Sequence, residues 1–318
     1  MAIIMMKKFR AQPLLIGLLA FVLYVAIFVI LDSLNVTRAF GKLAKNTAGT
    51  PPPDGLQEAV NGLPFEFGIA LVLIVIVALT GIWSQVGFRR RWPGGLKFVL
   101  IPLGLIILLF GTVVINSVSQ GGNEVFGWGV WPASLAFVAY LLLVGFSEEL
   151  MFRGILFQGL RSVLKPWLTV LITAALFGSM HFVNLFSGAS TQGTFEQVLF
   201  AFAFGCMAGA LRLRVGSIVP LMLFHAVWDL LVTESQMAQA PVGQGTNNAA
   251  AAAETGFVIS PGLFFLVAPS LLYAVFIFWR YLVAIRNKTI TEPEFASNLS
   301  RSTVQRDTDP DALVANDR

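Results

Sequence analysis

Charge is scarce in this chain. Of its 318 residues 12% are charged and 56% hydrophobic, whereas a typical soluble domain is roughly 25% charged. A soluble core of this length could not hide so much apolar surface, so lipid must form part of the solvent. Cysteine occurs once, as Cys206 in an apolar run, which excludes a disulfide framework and a cysteine-rich metal site. The formal net charge of +4 is small and divided among short clusters; with no basic face, nucleic-acid binding is not expected. Neither an internal repeat nor a second globular domain is evident. Histidine is almost as rare as cysteine: His181 and His225 are the two in the chain.

What is present is a series of apolar runs. A helix needs about 20 apolar residues to cross the hydrocarbon core, and eight segments meet or approach that: 13–31, 66–86, 97–115, 131–147, 168–186, 196–211, 216–233 and 262–284. The first follows Lys7, Lys8 and Arg10 but exceeds a signal peptide's apolar region, and no small-residue cleavage site follows it. It reads as an uncleaved span. Arg89–Arg91, Arg161/Lys165, Arg212/Arg214 and Arg286/Lys288 fall on the same side as the N-terminal cations if all eight segments cross. The opposite connections are poor in charge except 32–65, which carries Arg38, Lys42 and Lys45 alongside Asp32, Asp54 and Glu58. Lys/Arg-rich connections mark the cytoplasmic side, so both termini are expected there. The stretch 50–55, rich in proline, reads as a loop, and 234–258 as a mobile external loop. The expectation is an all-α, polytopic transmembrane helical bundle of about eight spans. Residues 1–286 form one transmembrane domain, with 130–235 as its core, and 287–318 form a flexible cytoplasmic tail.

Ionisable groups inside spans are costly and usually functional or paired. Here they gather in three places: Glu148-Glu149 with Arg153, Phe177 with His181, and His225 with Asp229. Glu149 and Arg153 are four apart, share a helix face and can pair. Glu148 is rotated about 100° from Glu149 and is left outside that pair. His225 and Asp229 are also four apart, so the acid can orient the imidazole or share a ligand. Gly178 and Ala174, and the stripe Ala201, Gly205 and Gly209, allow close helix approach. By depth, His181 lies roughly 20 Å and His225 roughly 14 Å from the cytoplasmic ends. Glu148 joins them only if the fourth helix runs on to the Lys165-Pro166 break, making it about 50 Å long, tilted, and bent near Gly145 or Gly154.

In this order, Glu148-Glu149-xxx-Arg153, Phe177-xxx-His181 and His225-xxx-Asp229 resemble the signature of the CAAX-protease and bacteriocin-processing family, which includes the Abi proteins. The resemblance spans roughly residues 130–235. It implies an intramembrane endopeptidase acting on a membrane-associated protein or peptide near the cytoplasmic half of the membrane. Glu148 would activate water, His181 would help hold it, His225 with Asp229 would stabilise the oxyanion, and Glu149–Arg153 would brace the site. Asp229 departs mildly from the asparagine of the eukaryotic prenyl-protein enzymes, adding a negative charge beside His225. A metal-free, glutamate-dependent hydrolase is the favoured reading. Zinc held by Glu148, His181 and His225 is the alternative, since two histidines and a carboxylate form a familiar zinc set. The compact layout is what a prokaryotic cell-membrane member would show, with lipid and a polypeptide substrate as partners.

Simpler readings stand beside these. Glu149–Arg153 can be a purely structural pair, and a histidine in a span is often a packing residue. Arg89–Arg91 and Arg212/Arg214 read as topology anchors, and Cys206 as a small apolar residue. Ser147 and Ser179 lack a clear base. Two other function classes remain: a non-catalytic Abi-type immunity or scaffold protein, and a proton-coupled transporter, which also uses buried carboxylates and histidines.

Overall fold

Helix is the one kind of element among the residues described by the structure, a computed structural model covering 12–33, 54–89, 94–119, 131–186, 189–239 and 261–290. In chain order these are α1 (Pro13–Ser33), α2 (Asp54–Thr80), the short α3 (Trp83–Val86), α4 (Lys97–Ser119) and α5 (Trp131–Glu149). A π-helical stretch (Leu150–Leu156) joins α5 to α6 (Phe157–Arg161) without a break. Then come α7 (Pro166–Met180) with a 3-10 turn (His181–Leu185), α8 (Thr191–Val215), α9 (Val219–Gln239) and α10 (Pro261–Arg286).

All eight expected segments fall on helices. Six stretches are long and apolar enough to cross a membrane: Pro13–Ile30, Asn61–Thr80, Leu135–Arg161, Pro166–Leu185, Thr191–Val215 and Leu266–Arg286. Lys97–Thr112 and Val219–Val232 are shorter apolar helices. The bundle is therefore all-α and polytopic, and the fourth long helix does run past Glu148 as its depth required. It ends where anticipated: Lys165 is extended and Pro166 starts α7, because proline disfavours helix in the residue before it and suits the first helical turn. Gly154, one of the two glycines where a bend was expected, lies in the π stretch.

Helix limits differ from the apolar runs in three places. α2 starts at Asp54, twelve residues before the expected span and inside the expected 50–55 loop. α8 extends beyond 196–211 at both ends, to Thr191 and Val215. α9 continues to Gln239, into the expected 234–258 loop. Hydropathy marks where a helix is apolar, not where its backbone stops; an acid such as Asp54 suits a helix N-terminus, and Ser190 caps α8 by accepting from Gly193 N–H. The tail expected at 287–318 lies, beyond 290, outside the described residues.

Close approaches hold the bundle together. α8 packs between α7 and α10, and α5 packs against α2 and α9. A Cβ on Gly205 would sit 2.9 Å from the Ala174 Cα, and one on Gly209 would sit 3.2 Å from Val170. The small-residue stripe is thus a helix–helix seam, as its spacing suggested. A Cβ on Gly145 would lie 2.6 Å from the Met222 carbonyl oxygen, so glycine there lets α5 meet α9 backbone to backbone.

Arg212 is a structural residue rather than a topology anchor in solvent. It is buried, donating from Nε to the Arg153 carbonyl at 3.1 Å and from Nη1 to the Gly216 carbonyl at 2.9 Å. Its Nη2 reaches the Val86 carbonyl at 3.3 Å. Gly87, at φ 97°, turns the chain beside that guanidinium, in a conformation and a space that a side chain could not share.

Candidate active site

Four elements converge on one place. α5 carries Glu148 and Glu149 in its last turn, and the π stretch carries Arg153. α7 carries Phe177 and ends at His181, and α9 carries His225 and Asp229.

Glu149 is the hub. Its Oε1 accepts from Arg153 Nη1 at 2.8 Å and lies 3.0 Å from His225 Nδ1. The other ring nitrogen of His225, Nε2, lies 3.5 Å from Glu148 Oε2 and 3.4 Å from Asp229 Oδ2. Glu149, Arg153 and His225 are 0%, 1% and 4% exposed, so lipid and water are excluded from the brace. Glu148 and Asp229 keep side-chain exposures of 11% and 28%, which leaves the Nε2 side of the ring open to a reactant. Ionised carboxylates only accept hydrogen bonds. The ring therefore serves Glu149 and the pair of acids together when each nitrogen carries a proton.

Phe177 explains why a phenylalanine belongs four residues before His181. Its ring meets His181 edge-on at 5.4 Å between centroids and His225 edge-on at 6.0 Å. The Arg153 guanidinium carbon lies 4.4 Å from its centre, a cation–π contact in an apolar setting. Phe152 and Phe204 close around it at 5.0 and 6.3 Å. One aromatic ring thus spaces both histidines and the arginine.

Glu148, His181, His225 and Asp229 line a cavity of about 850 Å³. The spacing expectations hold in geometry: both i,i+4 pairs meet, Glu148 stays out of the Arg153 pair, and both histidines face one cavity with it. His181 has no hydrogen-bonded protein partner among the described residues and is free to meet a water or a substrate. Asn184 donates to Gln197 at 2.8 Å on the cavity wall. Of the serines, Ser179 bonds back to the Leu176 carbonyl.

Ser147 leads to a residue the sequence reading passed over. Its hydroxyl donates to Glu66 Oε2 at 2.9 Å, and Glu66, 4% exposed, lines the same cavity. Glu66 is the first residue of the expected 66–86 run, and the sequence pattern assigns it no role. With α2 beginning at Asp54, it is twelve residues inside a helix. An acid at the edge of an apolar run, with helix-forming sequence continuing upstream of it to Asp54, is the signal that could have found it.

For the zinc set, the described residues contain no group of three or more His, Cys, Asp or Glu side chains arranged to hold a metal ion. His225 Nδ1 is turned to Glu149, and Nε2 is shared by two acids. The trio Glu148, His181 and His225 does not close into a ligand set among the described residues.

No curated protein matches the chain. Residues 129–231, the stretch that holds every group of the site but Glu66, match the family model described as Rce1-like, type II CAAX prenyl endopeptidase Rce1-like, so the site-bearing part of the chain is similar to this family of CAAX-type proteases.

Proposed function

We propose that the chain is a glutamate-dependent intramembrane endopeptidase in which Glu148 is the general base. The observation that carries this is the position of Glu148: partly open to the cavity, outside the Glu149–Arg153 pair, and 3.5 Å from His225 Nε2. A water held between Glu148 and His181 gives its proton to Glu148 as its oxygen attacks the scissile carbonyl carbon. The carbonyl oxygen becomes an oxyanion and accepts from His225 Nε2–H, whose contacts to Glu148 and Asp229 are loose at 3.5 and 3.4 Å. As the C–N bond breaks, Glu148 passes the proton to the leaving amine, so one water yields one carboxyl and one amino terminus. Asp229 steadies the His225 ring from the cavity side, and Glu149 with Arg153 fixes it from behind. The substrate is a polypeptide, as the family implies.

Purified protein offered a peptide library tests this. Glu148→Gln is isosteric and is expected to lower cleavage roughly 10²–10⁴-fold, the usual worth of a general base, while leaving thermal stability near the parent's. Unchanged cleavage by Glu148→Gln removes the mechanism, and a parent protein that cuts nothing points instead to a scaffold role. Cleavage is expected to persist after chelation with metal content measured in parallel; loss on chelation and recovery with zinc would overturn the metal-free step.

A further inference from the structure

Among the described residues the eight long helices alternate in direction, and their contacts show which ends meet. Gly17 near the start of α1 lies against Gly159 in α6. Ile218, just before α9, donates its N–H to the Gly87 carbonyl after α3 at 3.1 Å. The Arg214 guanidinium in the last turn of α8 lies 4.8 Å from the Phe98 ring at the start of α4. Tyr281 and Ala284 near the end of α10 pack with Phe157, Val170 and Leu213. One end of the bundle is therefore built from the start of α1, α4, α7 and α9 and the end of α3, α6, α8 and α10. The cationic residues Lys7, Lys8, Arg10, Arg89–Arg91, Arg161, Lys165, Arg286 and Lys288 flank that end in sequence.

The cavity lies in the other half. Its wall uses Phe28 late in α1, Glu66 in the first half of α2, Tyr140 midway along α5, and Gln197 in the second turn of α8. Towards the cationic end it is shut by the fully buried Arg153, Phe152 and Leu156 and by the Arg212 hydrogen bonds. Towards the opposite end it reaches Gly193 and Gln197, both exposed.

Lys/Arg-rich ends face the cytoplasm. On the endopeptidase reading above, we infer that the site is entered from the extracytoplasmic face. Its substrate is then a polypeptide segment presented there, either an exported peptide or the outer juxtamembrane stretch of a membrane protein. The cytoplasmic half was implied by the family resemblance; the depth of the acids and histidines does not tell on which side the bundle is hollow.

Single cysteines read the orientation without any catalysis, so this inference and the hydrolase reading fail separately. In a Cys206→Ala background, Ala189→Cys or Thr191→Cys marks the cavity end and Lys165→Cys the cationic end; all three positions are exposed. With a membrane-impermeant maleimide on intact cells, the cavity-end cysteines are expected to label, and Lys165→Cys only after permeabilisation. Labelling of Lys165→Cys in intact cells, with Ala189→Cys and Thr191→Cys protected, would overturn the inference. A reporter with the same cleavable segment on either side of a one-span anchor gives the second arm. Cutting of the outer copy supports the assignment, and cutting of the inner copy alone overturns it.

Discussion

Arg153 makes contacts in every direction from inside the bundle. It donates to Glu149, faces Phe177, and accepts from Arg212 at its carbonyl oxygen. Removing one member of a buried ion pair strands the other, at about 3–5 kcal/mol, whereas replacing both with apolar groups is often neutral. Arg153→Met and Glu149→Met are each expected to lower the thermal midpoint strongly, and the double variant to recover much of it. Cleavage is expected to stay lost in the double variant, because His225 Nδ1 then has no acceptor. Stability and cleavage measured on the three variants check this; recovered cleavage would show Glu149 to be a stability device alone. The pair was legible in the sequence because four residues on a helix is a fixed geometry. The bond from Glu149 to His225, 76 positions away, was not, since periodicity does not say which faces of two helices meet. Phe177 was legible as a motif position, but its contacts with both imidazoles required the packed bundle.

Individual helices add constraints of their own. Between Leu150 and Leu156 the long helix is π-helical, and all seven residues there are buried. A π stretch widens the turn and is frequent at functional sites; here it falls between the acids of α5 and the end of the helix, with Arg153 at its centre. Nothing in the residue pattern announced it, because apolar residues surround it on every side. Gly145, one turn before Glu149, sets the approach of α5 to α9. Gly145→Ala would place a methyl 2.6 Å from the Met222 carbonyl oxygen, pushing His225 away from the acids. That variant is expected to lose cleavage and stability. Gly104→Ala and Gly111→Ala in α4 meet nothing within 4 Å and are expected to be neutral, or stabilising by up to about 1 kcal/mol from helix propensity. Thermal scans in detergent with cleavage assays separate the two classes, and equal tolerance at all three positions would contradict the backbone contact at Gly145.

For the molecule as a whole, the order of the apolar helices could be read from hydropathy, and the common end of the cations from their positions. The path of the cavity could not, because it depends on which helix ends splay. Arg212 shows the same limit: its charge suggested a water-facing anchor, yet it ties α8 to the π stretch and to the turn after α3. An unsatisfied buried acceptor costs about 1–3 kcal/mol. Arg212→Met is therefore expected to destabilise the bundle by at least one such loss, read as a lower thermal midpoint, with Glu148→Gln as the unshifted comparison. An unchanged midpoint would mean that water takes over those carbonyls.

The chain places both of its histidines on the wall of one cavity, one ring held between carboxylates and the other edge-on to Phe177. Any label or reagent specific for imidazole consequently reports from that cavity with no background from the rest of the protein. The two rings, in such different surroundings, give two separable signals for whatever enters.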